Sequence, residues 1–177
     1  MSVSARCATN VSTKLVKARE PRAAYALQAP TAAKPARALL DVNVLIALLD
    51  ADHLHHRSAT QWLSRNIAPG WASCAITQNG CVRIMAQPGY PNPLPAAQVA
   101  ARLAAATRTQ HHLFVASNVS LLDPDHFDTA QLLGHRQVTD AYLLGLAVAH
   151  GMRVVTFDAS VALRVVRGAT AAHVVIL

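Results

Sequence analysis

The sequence predicts an α/β domain built on a central parallel sheet covered on both faces by helices. Three observations carry that prediction. From residue 38 onward, short apolar runs alternate with stretches of three- and four-residue periodicity. Start and stop signals punctuate the helical stretches, with Thr77 and Thr139 ahead of two of them and Gly151 after the second. The 177 residues are 53% hydrophobic and 14% charged, against a usual charged share of about 25%. That balance supplies one domain with a buried core and excludes a wholly disordered chain.

Ala38-Leu39-Leu40-Asp41 reads as the end of a buried strand, and a helix opens over Asn43–Leu49. A second helix over His55–Arg65 places Ala59, Trp62 and Leu63 on one face. Trp71–Ala75 reads as a short strand, with Thr77 capping a helix that runs to about Ala86. Pro88, Pro91, Pro93 and Pro95 mark an irregular loop. Ala96–Thr107 is alanine-rich and helical, with Val99 and Leu103 inward, and Leu113–Val115 is a strand. Thr139 caps a helix over Asp140–His150 that Gly151 ends. Arg153–Asp158 is a strand, Ser160–Val165 a short helix and His173–Leu177 a final strand. No internal repeat is visible.

The formal net charge of +7 invites an anionic partner, yet it is unevenly placed. Residues 1–37 hold seven basic side chains against one acid, Glu20, a net +6. This segment reads as a basic, disordered N-terminal tail, and the break near 37 is the one domain boundary. Residues 38–177 hold nine arginines against eight aspartates, a net +1. No lysine follows Lys34, which excludes a Walker A loop and a Schiff-base lysine in the body. The seven glycines form no G-x-G-x-x-G. Cys7, Cys74 and Cys81 are odd in number and contain no C-x-x-C, which argues for a reducing, cytoplasmic setting and against a disulfide framework. No run of about 20 apolar residues is present for a membrane span.

Three aspartates sit where chemistry gathers in such sheets, outside the carboxyl ends of the strands. Asp41 ends one apolar strand, Asp158 ends another, and Asp140 lies in the first turn of a helix. Converging carboxylates repel one another unless a cation stands between them, and a hard divalent ion, Mg²⁺ or Mn²⁺, suits oxygen ligands. The bland alternative makes Asp140 a helix-terminal acid and Asp158 a cap.

Leu39-Leu40-Asp41-Val42-Asn43-Val44-Leu45-Ile46-Ala47-Leu48 resembles the opening of a PIN domain. Val138-Thr139-Asp140-Ala141-Tyr142-Leu143-Leu144 and Val154-Val155-Thr156-Phe157-Asp158 resemble its closing half. The middle, Trp71-Ala72-Ser73-Cys74 through Ile76-Thr77-Gln78-Asn79-Gly80 to Val82-Arg83-Ile84 and Gln87-Pro88, is similar to VapC-type toxins. The resemblance spans about residues 38–177 and implies a PIN-like three-layer α/β/α fold. It also implies a metal-dependent endoribonuclease toxin of a toxin–antitoxin pair, acting on RNA of the tRNA or rRNA class. A cognate VapB-type antitoxin and a homodimer are implied with it. Asp41, Asp140 and Asp158 match the family's acidic positions and would hold Mg²⁺ or Mn²⁺, with Asn43 and Thr156 orienting ligands or water. Arg83, Arg136 and Arg57 are candidates for phosphate contacts.

One feature departs from the family. A Glu is usual near the start of the helix after the second strand, but here the stretch is Thr77-Gln78-Asn79-Gly80, and Glu20 is the chain's sole Glu. Gln78 is the expected replacement, with the register open by a residue or two, and Gln or Asn there is a neutral and weaker ligand. The loss motivates a second reading, a catalytically weak or inactive PIN protein that acts by binding RNA or antitoxin. His53, His55 and His56 read as surface histidines, Cys74 and Cys81 as core thiols, and Trp62 and Trp71 as packing anchors. Asp41-Val42-Asn43 is loosely similar to the start of haloacid-dehalogenase phosphatases, but those enzymes use a lysine that this body lacks.

Overall fold

Ala38–Leu40 (β1) is apolar and wholly out of solvent, and a strand buried on both faces belongs at the centre of a sheet. The computed structural model describes residues 36–177, and β1 is central in it. Trp71–Cys74 (β2) pairs on one side and Arg153–Thr156 (β4) on the other, with His112–Val115 (β3) and Val174–Ile176 (β5) at the edges. The order is β3-β2-β1-β4-β5 and every pairing is parallel. Parallel neighbours require crossovers, and five helices supply them: Val42–Leu49 (α1), His56–Asn66 (α2), Ala75–Met85 (α3), Ala96–Thr107 (α4) and Gln137–Ala149 (α5).

Alternation along the strands sorts the apolar side chains into two cores. Leu39 and Val154 face a cluster with Leu143, Leu144 and Leu146 of α5. Leu40 and Val155 face the other, with Val44 and Leu45 of α1, Met85 of α3 and Leu103 of α4. The expected three-layer α/β/α architecture is therefore present. Among the described residues, no helix is long and apolar enough to cross a membrane.

Four local readings change. The helix after β2 starts at Ala75, with Cys74 as its cap residue. Thr77 sits one turn inside, where its hydroxyl accepts from the Cys74 N–H at 3.0 Å and donates to the Cys74 carbonyl at 3.1 Å. α5 starts at Gln137, so Thr139 lies within its first turn and does not cap it. Its end is as expected: Gly151 takes φ 62°, and the Met152 N–H reaches the Ala147 carbonyl at 2.8 Å. β4 stops at Thr156, and residues 160–165 hold only a 3-10 turn over Leu163–Val165. Asp158 takes both the N–H and the hydroxyl of Ser160, which turns the chain and competes with a helix.

The fourth change concerns the boundary. The basic segment lies outside the described residues except for its last two. Arg37, counted with that segment, belongs to the body. Its guanidinium donates to the His111 carbonyl at 3.0 Å, and its own carbonyl accepts from the Arg153 N–H at 3.0 Å.

α5 approaches Phe127 closely because Gly145 has no side chain. A Cβ there would overlap the Phe127 ring, and Phe127 is 2% exposed and cannot swing outward. Gly145→Ala is expected to destabilise the domain in urea denaturation. Overpacking costs about 1–3 kcal/mol and outweighs the ~1 kcal/mol that Ala gains over Gly inside a helix. In a Phe127→Leu background the same substitution should lose its penalty.

Candidate active site

A single residue, Asp41, separates β1 from α1, so it must serve as the helix cap. Its Oδ1 accepts from the Val42 N–H at 2.6 Å. β1 and β4 are paired in register, Leu40 with Val155, which sets Thr156 beside Asp41. The Thr156 hydroxyl donates to Asp41 Oδ2 at 3.1 Å and accepts from the Asp158 N–H at 3.1 Å. Three of the residues expected at the site are thus linked in one hydrogen-bonded chain.

Asp41 is 6% exposed. Burial pushes its carboxyl above the ordinary range, hydrogen bonds from Val42 and Thr156 pull it back, and the charge of Asp158 pushes it up again. Asp140, in the first turn of α5, is pushed up to about 6 by burial and then by the charges of Asp41 and Asp158. Asp158 is exposed. The hydroxyl and N–H of Ser160, at 2.6 and 2.7 Å, hold its carboxyl below the usual range. Asp140 feels the charge of both other acids and Asp41 that of Asp158, and the three sit in three different environments.

A cavity of about 460 Å³ opens at this edge, with Asp41 and Asn43 on one wall, Asn79 and Arg83 on a second, and Thr139 and Asp140 on a third. The second wall comes close because of Gly80, where a Cβ would stand 2.8 Å from a Val42 methyl. Ile76, Asn79, Gly80 and Arg83 share one face of α3 at three- and four-residue spacing.

Gln78 lies off that face, which corrects its expected place. Its amide Nε2 donates to the buried Ser73 hydroxyl at 2.9 Å, and that hydroxyl also bonds His112 Nε2 at 2.8 Å. Gln78 instead lines a separate cavity of about 290 Å³ beside α4. The amide on the acid cavity is Asn79, one residue beyond Gln78 and within the register that the sequence leaves open. The signal that finds it is the i, i+3, i+7 relation of residues 76, 79 and 83. Arg136 and Arg57 are exposed at the starts of α5 and α2, and neither lines the acid cavity. Among the described residues, no three His, Cys, Asp or Glu side chains form a group able to ligate one ion.

The PIN domain family profile matches residues 38–167. Ribonuclease VapC44 of Mycobacterium tuberculosis is 55% identical over 141 residues, covering 80% of this chain and 99% of that protein. Ribonuclease VapC38 of the same species is 43% identical over 125 residues, covering 70% and 86%. The chain is a PIN-domain protein of the VapC ribonuclease family. The VapC fold is echoed by the crystal structure of M. tuberculosis VapC20, described as a sarcin-ricin loop cleaving toxin. It superposes with a TM-score of 0.51 at 14% identity, covering 70% of this chain and 91% of that one.

In this VapC domain the raised Asp140 carboxyl has a consequence for stability. Asp140 titrates at 3.8 when unperturbed and at about 6 in the fold. Its contribution is therefore full below pH 3.8 and is lost as pH rises through about 6. Asp140→Asn removes the ionised form that the fold disfavours. The variant should be more stable than the parent at about pH 7 by ~1 kcal/mol, a figure discounted because water screens the half-buried group. The gap should close by about pH 4. Urea denaturation in the presence of EDTA measures both.

Proposed function

We propose that this chain is an endoribonuclease toxin that hydrolyses RNA phosphodiester bonds with Mg²⁺ or Mn²⁺ held by Asp41 and Asp140, with Asp158 at the rim. The observation that carries the reading is the pair of carboxylates Asp41 and Asp140 on one cavity, both pushed above the ordinary range. Such carboxyls are held at a cost that a cation relieves. The donors are oxygens, as a hard ion requires, and Mg²⁺ commonly takes only one or two carboxylates plus water and substrate phosphate. The lack of a three-acid group is compatible with that mode. A bound ion would lower the pKa of a coordinated water and neutralise charge on the phosphate.

The chain's own residues do the rest. Val42 N–H and Thr156 Oγ1 fix both oxygens of Asp41, so the carboxylate is oriented before any ligand arrives. Arg83 places a guanidinium on the cavity wall, suited to a phosphate oxygen. Asn79 offers a neutral amide on the same wall and Asn43 one from the wall of α1. Family membership further supports a VapB-type antitoxin, a homodimer, a tRNA or rRNA substrate and a cytoplasmic setting as parts of the same reading.

One observation favours the alternative, a weak or inactive PIN protein that binds RNA or antitoxin. Gln78, the expected stand-in for the family Glu, donates to Ser73, away from the acids. Cleavage of RNA by purified, antitoxin-free protein with added Mn²⁺ separates the two readings. The nuclease reading expects Asp41→Asn to lower the rate by about 100-fold or more, the scale of removing one charged group from a transition state. Thr156→Val should lower it about 10- to 100-fold. No metal-dependent cleavage by the parent would leave only the binding protein.

The wall positions also predict which substitution builds a ligand. Asn79→Asp should tighten Mn²⁺ binding in isothermal titration calorimetry, since it adds a carboxylate to the cavity. Gln78→Glu should leave affinity unchanged, because that side chain is directed at Ser73.

A further inference from the structure

Phe157 stands in the chain between Thr156 and Asp158, on the α1 side of the sheet, where it packs with that core. The imidazole of His55 stacks on its ring, with centroids 4.4 Å and planes 26° apart. Phe157 is half-buried and His55 is exposed, so the pair offers a supported aromatic surface whose Phe157 adjoins Asp158 in the chain. The His53 ring lies 5.7 Å from that of His55, tilted by 48°.

The connection that carries His55 is held by several hydrogen bonds. Asp50 is 8% exposed. Its Oδ1 accepts from the Asp52 N–H at 3.1 Å, and its Oδ2 accepts from the Tyr90 hydroxyl at 2.5 Å. The His55 N–H donates to His53 Nδ1 at 3.1 Å, and the His56 N–H donates to the His53 carbonyl at 2.8 Å. The His56 ring bonds the Ala47 carbonyl at 2.8 Å. The imidazole is therefore presented on a preorganised support, which lowers the ordering cost of binding.

We propose that His55, stacked on Phe157, is a ledge on which a nucleobase of single-stranded RNA stacks while its backbone runs to the acid cavity. The proposal rests on the ribonuclease reading given above and extends it to how the substrate is seated. Unpaired bases stack on aromatic and histidine rings, and such contacts tolerate any base because each has a π face. The near-neutral body gives this seat weight. With nine arginines against eight aspartates beyond residue 37, phosphate attraction alone is a weak source of affinity.

The test is fluorescence anisotropy in EDTA with a short fluorescein-labelled single-stranded RNA, and with a strand of equal length that lacks bases. The parent should bind the intact strand about tenfold more tightly than His55→Ala does. His55→Phe should restore the affinity, and all three proteins should bind the baseless strand alike. With Mn²⁺, His55→Ala should raise KM for the intact strand more than it lowers kcat. Equal binding of the intact strand by parent and His55→Ala overturns the ledge, as does an equal loss on both strands. Asp41→Asn distinguishes the two levels. If it cleaves like the parent, the site reading fails, and the ledge is still judged from binding in EDTA.

Discussion

Everything at the carboxyl-terminal edge of the sheet depends on one nearly buried carboxylate. Asp41 is the single residue between β1 and α1, so its position is set by the most buried strand of the molecule. A charge so placed is costly unless it is hydrogen-bonded or met by a cation. The fold answers partly, with one backbone N–H and one hydroxyl, and leaves the carboxyl raised. Thr156 can reach it only because β4 lies beside β1 in register. Asp140 and α3 then complete a cavity around it. Moving β1 by one residue would turn Asp41 toward the opposite face and dissolve the arrangement.

The acids were legible in the sequence because parallel sheets place their functional groups where strands end and helices begin, and such ends leave marks. Leu39-Leu40 announces a buried strand, and the next residue has to be the cap. Gly151 announces the end of α5, and that helix carries Asp140. The wall formed by α3 was less legible because its phase depends on where the helix starts. Thr77 has the side chain of a cap, yet its hydroxyl works from inside the first turn, on Cys74. That difference rotates the helix relative to the expectation. Asn79 therefore takes the cavity, and Gln78 is turned toward Ser73 and His112. The segment after Asp158 shows the same effect at smaller scale. Ser160 looks like a helix opener, but its bonds to Asp158 are local and satisfied without a helix. Arg37 could not be assigned by counting charges, because what draws it into the body is one guanidinium bond to the His111 carbonyl and one backbone bond from Arg153.

The net charge of +7 gives little account of how the body would meet an anion. Residues 1–37 carry seven basic side chains for a net +6, and one of the seven is Arg37, whose guanidinium is engaged with a carbonyl. On the acid cavity the visible cation is Arg83, opposite two carboxylates. Without a metal the cavity has net negative character and would repel a phosphate. A divalent ion reverses that sign locally. Under the proposed reading the ion is therefore needed for substrate binding as well as for chemistry.

The three carboxylates are unequal, and their inequality suggests a division of labour. Environments that push the pKa values of neighbouring acids apart separate their roles. Asp41 has both oxygens engaged and is buried, so it is fixed in place and poorly suited to pass a proton. Asp158 is exposed, does not line the cavity and has one oxygen committed to Ser160, and its charge acts at a distance on the other two. Asp140 is half-buried and raised to about 6, close enough to neutrality to exchange a proton at physiological pH. A metal between Asp41 and Asp140 would draw that value down. The raised carboxyl of Asp140 is thus a property of the metal-free domain. Under the proposed reading, the same crowding of charge that raises Asp140 is what a bound cation would relieve.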